Sequence, residues 1–126
     1  MQESPKLMAS IPTAATAWTL LLVAGLLEVV WSSSMKASDG FTKHIYTGIT
    51  LGAAWLSFWL LGLAMKSLPL GTAYAVWTGI GAVGAAILGM VFFKEPATFA
   101  RFACIVAIVG GILGLKLLHS SGSAGA

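Results

Sequence analysis

Apolar residues run along this chain in four long blocks separated by short polar breaks. The first covers about residues 17–35 and closes with Lys36 and the turn Ser38-Asp39-Gly40. The second covers about residues 45–65 and closes with Lys66. The third follows the breaker Pro69, covers about residues 70–93 and closes with Lys94-Glu95-Pro96. The fourth covers about residues 98–118, ahead of His119 and a small polar tail. Each block is near the ~20 residues that a helix needs to cross a bilayer. None shows the period-2 alternation of a membrane β-strand. Short breaks make consecutive helices antiparallel neighbours. The pattern predicts an all-α membrane protein with four transmembrane helices over residues 17–118. Residues 1–16 are expected to form a disordered arm, and residues 119–126 a flexible tail.

Composition supports this reading. Of 126 residues, 58% are hydrophobic and only 9% are charged, where a soluble domain carries roughly 25%. Four spans leave no room for a soluble catalytic domain. The formal charge of +3 is spread over residues that flank the apolar blocks. That is membrane flanking rather than the basic stripe of a nucleic-acid binder. The single cysteine, Cys104, cannot form an internal disulfide. His44 and His119 have no companion ligands nearby in the chain. Hence no metal site, cofactor or enzyme chemistry is predicted.

Against that background Glu28 stands out. It is the one charge in residues 18–31 (WTLLLVAGLLEVVW). A charged side chain near the bilayer centre costs from roughly 2.5 to more than 10 kcal/mol, depending on the measure. Such a group usually serves a proton, an ion or a cationic substrate. On a helical wheel Gly25, Trp31 and Ser32 share its face. Trp31 can donate an indole N–H to a carboxylate. On the third helix Tyr74, Trp77, Thr78, Gly81 and Gly84 form a stripe of polar-tipped aromatics beside small residues. On the second helix Ser57 is the central hydroxyl. Glu28, Ser57 and Trp77 fall at similar depth, roughly 10–15 Å from one surface at 1.5 Å per residue. They could converge on one pocket. Trp18, Trp55 and Trp59 read instead as interfacial or lipid-facing residues.

Glycine patterns fit helix packing. Gly79, Gly81 and Gly84 formally match G-x-G-x-x-G, but no βαβ unit surrounds them, so a dinucleotide site is rejected. Their density suggests either a hinge in the third helix or close helix packing there. Gly48-x-x-x-Gly52 and Gly110-x-x-x-Gly114 fit the small-xxx-small rule for close helix approach.

Charge also bears on orientation. Lys6, Lys66 and Lys116 fall on the side of the N-terminus, here side one. Lys36, Lys43, Lys94 and Arg101 fall on side two. Three against four gives the positive-inside rule almost nothing to act on. Either one topology is weakly determined, or the chain inserts both ways and pairs with an inverted copy.

The stretch 25–31 (GLLEVVW), the helix end Met35-Lys36 and residues 68–96 (LPLGTAYAVWTGIGAVGAAILGMVFFKEP) resemble the small multidrug resistance transporters. Glu28-Val29-Val30-Trp31 and Trp77-Thr78-Gly79 resemble the guanidinium-exporter subtype. The Ser32-Ser33-Ser34 run and the long N-terminal arm depart from the usual pattern. The resemblance implies a multi-pass protein of a bacterial inner membrane, assembled as an antiparallel, dual-topology homodimer. It implies a site shared by two copies of Glu28, lined by Gly25, Trp31, Ser57, Tyr74 and Trp77, with Gly79, Gly81 and Gly84 as the hinge. The fourth helix would hold the dimer together. Its expected partners are guanidinium-type cations, protons and membrane lipid, and its expected activity is proton-coupled export of guanidinium and small substituted guanidines. The alternatives are a broad quaternary-ammonium or multidrug cation:proton antiporter, one subunit of a heteromeric pair, and a non-transporting assembly subunit.

Physics favours exchange independently of the resemblance. Two neighbouring carboxylates resist double ionisation and titrate as a coupled pair. Guanidinium is planar and its N–H groups match carboxylates bidentately. It can replace protons as the counter-charge, so the two compete for one site.

Overall fold

The structure, a computed structural model, describes residues 12–122. It is all helical: α1 (Ala14–Ala37), α2 (His44–Ala64), α3 (Leu70–Phe92) and α4 (Phe99–Gly122). All four are long and apolar enough to cross a membrane. Residues 1–11 of the expected arm and 123–126 of the expected tail lie outside the described residues, while 14–16 and 119–122 belong to α1 and α4.

Local chemistry sets the helix ends. The α1 helix starts three residues before the apolar block, because the Thr13 hydroxyl caps it and accepts the Thr16 N–H at 3.2 Å. The Ser67 hydroxyl donates to the Pro12 carbonyl, tying the α2–α3 link to the start of α1. At the other end of α1 the buried Ser38 organises the turn. Its hydroxyl donates to the Met35 carbonyl at 2.7 Å and accepts the Phe41 N–H at 3.0 Å. Gly40 then takes a left-handed φ of 71°, which glycine adopts freely. The α3 helix stops at Phe92, where Lys94 turns left-handed (φ 57°) and Pro96 disfavours helix at the preceding residue.

The α1 helix is central. It packs along α2 and α3, which meet each other only sparsely, while α4 packs along α3 and reaches α1 through Lys116, which lies over the Trp18 ring. The core is Ala17, Leu21 and Ala24 of α1, Leu61 and Ala64 of α2, and Ala73, Val76 and Trp77 of α3. Half of these are alanines, in keeping with a lipid setting that offers no hydrophobic drive between helices, so that close contact must supply the attraction. A Cβ at Gly25 would stand 2.6 Å from Ile80 Cγ2, and one at Gly79 would stand 2.7 Å from Ile112 Cδ1 of α4. By contrast Gly48, Gly52, Gly110 and Gly114 have nothing opposite them within 4 Å. Both small-xxx-small motifs therefore face outward from the protomer. Trp55 and Trp59 also face outward on α2, stacked with ring centroids 5.8 Å apart.

Candidate functional site

Glu28 lies where α3 passes close to α1. Gly81 makes the room: a Cβ there would collide with the Glu28 carboxylate. One turn further along α3, Gly84 does the same for Val29. The Oε2 of Glu28 is buried and accepts no hydrogen bond from the described residues. One helical turn away, the buried Nε1 of Trp31 likewise has no acceptor among them. Each unsatisfied buried polar group typically costs about 1–3 kcal/mol. Two such groups, an acceptor and a donor, on one helix face are characteristic of a binding site rather than of a settled core.

Behind them is a fully satisfied polar joint. The buried Ser57 hydroxyl donates to the Ala24 carbonyl at 2.6 Å and accepts the Trp77 Nε1–H at 2.9 Å. One hydroxyl thus ties α2 to α1 and α3 to α2. Ala24 is one turn before Glu28, so the joint fixes the part of α1 that carries the carboxylate. A row of rings continues from it. Trp31 and Phe58 have centroids 6.2 Å apart, Phe58 and Trp77 5.6 Å, and Trp77 and Tyr74 5.5 Å. Tyr74 is about half exposed in the protomer, as is Phe58. The row therefore forms an open wall rather than a closed chamber.

The structure divides the expected site residues into three groups. Glu28 and Gly81 meet directly. Ser57 and Trp77 are bonded to each other, and Trp31 and Tyr74 join them through the ring row. Two expected residues serve other contacts: Gly25 receives Ile80, and Gly79 receives the α4 residue Ile112. The α3 helix runs unbroken through Gly79, Gly81 and Gly84. Phe58 was not singled out from sequence, yet it bridges Trp31 and Trp77. Its position next to Ser57 was the available signal. The Ala24 carbonyl carried no signal, since a backbone acceptor looks alike at every position.

Two hollows flank this arrangement. A crevice of about 150 Å3 lies one turn beyond Glu28 toward side two, among Ser32, Ser33, Lys36, Gly89 and Glu95. Ser32 donates back to the Val29 carbonyl at 3.1 Å, the usual way a helix serine is satisfied. Glu95 accepts from Arg101 at 3.1 Å. A larger groove, about 560 Å3, lies between α1, α3 and α4 and does not include Glu28.

Residues 16–118 match the family described as Small Multidrug Resistance protein. A guanidinium exporter from Yersinia pseudotuberculosis serotype I is 56% identical over 101 residues, which is 80% of this chain and 97% of that protein. A guanidinium exporter from Escherichia coli K12 is 56% identical over 100 residues, 79% of this chain and 95% of that protein. One from Citrobacter freundii is 54% identical over 100 residues, with the same coverage.

Proposed function

The chain belongs to the small multidrug resistance family, and from that premise we propose that it exports guanidinium in exchange for protons. Four apolar spans within that family make it a multi-pass protein of a bacterial inner membrane. The proposal extends to small substituted guanidines and to an antiparallel homodimer that joins two Glu28 carboxylates. The observation that carries it is the buried Oε2 of Glu28 on one face with the Nε1–H of Trp31, neither with a hydrogen-bond partner among the described residues.

The chemistry follows from these groups. A planar cation with several N–H donors satisfies the Glu28 Oε2, which the described residues leave without a donor. A proton on the carboxylate satisfies the same requirement by neutralising it. The two therefore exclude one another, and if only a loaded site changes its exposure, exchange results. In the dimer the Trp31 indole N–H donates to a glutamate oxygen and holds its orientation. The Ser57–Trp77 joint keeps α1, α2 and α3 in register around it. Direct donation from Ser57 or Tyr74 to a glutamate belongs to the assembled, loaded state. Gly79, Gly81 and Gly84 supply the bend in α3 for alternating access, and an inverted pair makes the two exposures equivalent.

The ring row Trp31–Phe58–Trp77–Tyr74 favours one competing reading. Aromatic faces attract cations without needing N–H donors, so a broad exporter of hydrophobic cations would use the same wall. Competition in proteoliposomes separates the two. Guanidinium and singly substituted guanidines should be transported, and tetraphenylphosphonium should move poorly. Equal movement of tetraphenylphosphonium would replace the guanidinium reading with the multidrug one. Assembly is tested separately. A C-terminal tag should be reachable from both membrane faces in one population, and access from one face alone would indicate a partner subunit of opposite orientation.

A further inference from the structure

The groove between α1, α3 and α4 is lined by none of Glu28, Trp31, Ser57, Tyr74 and Trp77, although the proposed hinge residue Gly84 borders it. On α1 its wall includes Leu22 and Leu26. Leu26 and Glu28 are two residues apart, about 200° around the helix at 3.6 residues per turn, so the groove and the carboxylate use different faces. Ile80 and Val83 of α3 and Leu113 of α4 line it as well. Among the described residues that line the groove, Lys116 is the one charged side chain. Its Nζ sits 5.6 Å from the centroid of the Trp18 ring. Among the described residues no carboxylate pairs with Lys116, and the ion pair they do form joins Glu95 to Arg101.

Depth gives the groove a direction. Trp18 is near the start of α1 and Lys116 near the end of α4, so both stand at the side-one surface. From Trp18 the α1 wall descends to Leu26. Eight residues at 1.5 Å each make about 12 Å. One leaflet of a ~30 Å hydrocarbon core is about 15 Å deep. The groove is therefore an apolar slot one leaflet deep, with an interfacial tryptophan at its mouth and an ammonium that no carboxylate of the described residues pairs with.

We propose that this slot binds one phospholipid with an anionic headgroup. The acyl chain lies along Leu22, Leu26 and Leu113, and the phosphate pairs with Lys116. The Trp18 ring holds the ammonium at headgroup level, and cation–π contact leaves its N–H groups free to donate to phosphate oxygens. This assignment depends on the membrane placement of the helices and not on the transport reading. A second copy is the competing occupant, but of the acids on its side-two loops Glu95 is already engaged by Arg101.

The test is native mass spectrometry of the full purified chain, released from detergent in the presence of equal phosphatidylglycerol and phosphatidylcholine. The wild type should retain phosphatidylglycerol over phosphatidylcholine about fivefold, the preference expected from one basic residue at an anionic surface. Lys116→Gln should bring the ratio to parity. Lys66→Gln, an exposed cation on the same side, should leave it unchanged. Leu113→Trp, at a half-exposed position that tolerates bulk, should fill the slot and remove both lipids. Parity in the wild type overturns the proposal. So does a Lys66→Gln effect equal to that of Lys116→Gln, which would mean unspecific charge attraction. Loss of dimer on Leu113→Trp with lipid retention unchanged also overturns it, because the slot would then be a face for a second copy.

Discussion

The α1 and α4 helices are each 24 residues long and similarly apolar, yet they are used in opposite ways. The α1 helix packs against two neighbours and buries Ala17, Leu21, Ala24 and Gly25. The α4 helix packs along α3 alone and reaches α1 through the Lys116 side chain, and none of its membrane-spanning residues is buried in the protomer. Apolar composition made both into spans, but neighbours decided what each face could hold. Only the packed helix can carry a carboxylate inside the protein, because only there can other helices shelter it and tune its partners. The uncovered helix offers Gly110 and Gly114 to whatever lies outside. The protomer is thus a finished frame around Glu28 joined to an unfinished surface on α4.

The comparison is broken most strongly at Gly81. Gly81→Val places a branched side chain where the Glu28 carboxylate lies. Guanidinium flux in proteoliposomes should fall to the level of empty vesicles, with stability reduced by about 1–3 kcal/mol of overpacking. The matching change on the open helix is Gly110→Leu, where a new side chain meets nothing in the protomer. Its helicity and thermal melting in detergent should stay as in the wild type. The crosslinked dimer fraction should drop sharply, since added bulk keeps backbones apart. A dimer that survived this change would show that α4 is not the contact.

A smaller effect is expected at the polar joint. Ser57→Ala leaves the Trp77 indole N–H buried without its acceptor, which costs about 1–3 kcal/mol. Melting followed by circular dichroism should show the loss. Adding Trp77→Phe should recover part of it, because the orphaned donor is then gone. The smallest effect belongs to the Glu95–Arg101 pair, whose side chains are 42% and 34% exposed. Glu95→Gln should shift stability by less than about 1 kcal/mol and leave flux unchanged.

How much of this was legible in the sequence follows the same division. The four spans were visible because a bilayer demands long apolar blocks, and their limits agree with the helices to within a few residues. The start of α1 was missed because the block begins at Ala17, whereas the cap that starts the helix is Thr13. The end of α4 was missed because Ser120 and Ser121 read as tail, but serine only weakly opposes a helix that has already formed. Around Glu28, the inward position of the carboxylate was legible from cost alone, and those of Gly81 and Trp77 from their spacing. The roles of Gly25 and Gly79 were not, because a wheel gives the face of a glycine but not the neighbour that fills it. The Ser57 bond to the Ala24 carbonyl also lay beyond the sequence, since it depends on how closely α1 and α2 approach.

The most direct test of the account is guanidinium flux through the purified chain alone in proteoliposomes. An antiporter that trades protons for guanidinium should take guanidinium up faster when the vesicle interior is more acidic than the outside, because protons leaving drive the cation in. Reversing the gradient should reverse the effect. Glu28→Gln should still assemble as a dimer but lose the gradient-driven flux, since an amide neither cycles a proton nor supplies charge. Gradient-driven guanidinium uptake that persisted undiminished in Glu28→Gln would contradict the account at its centre.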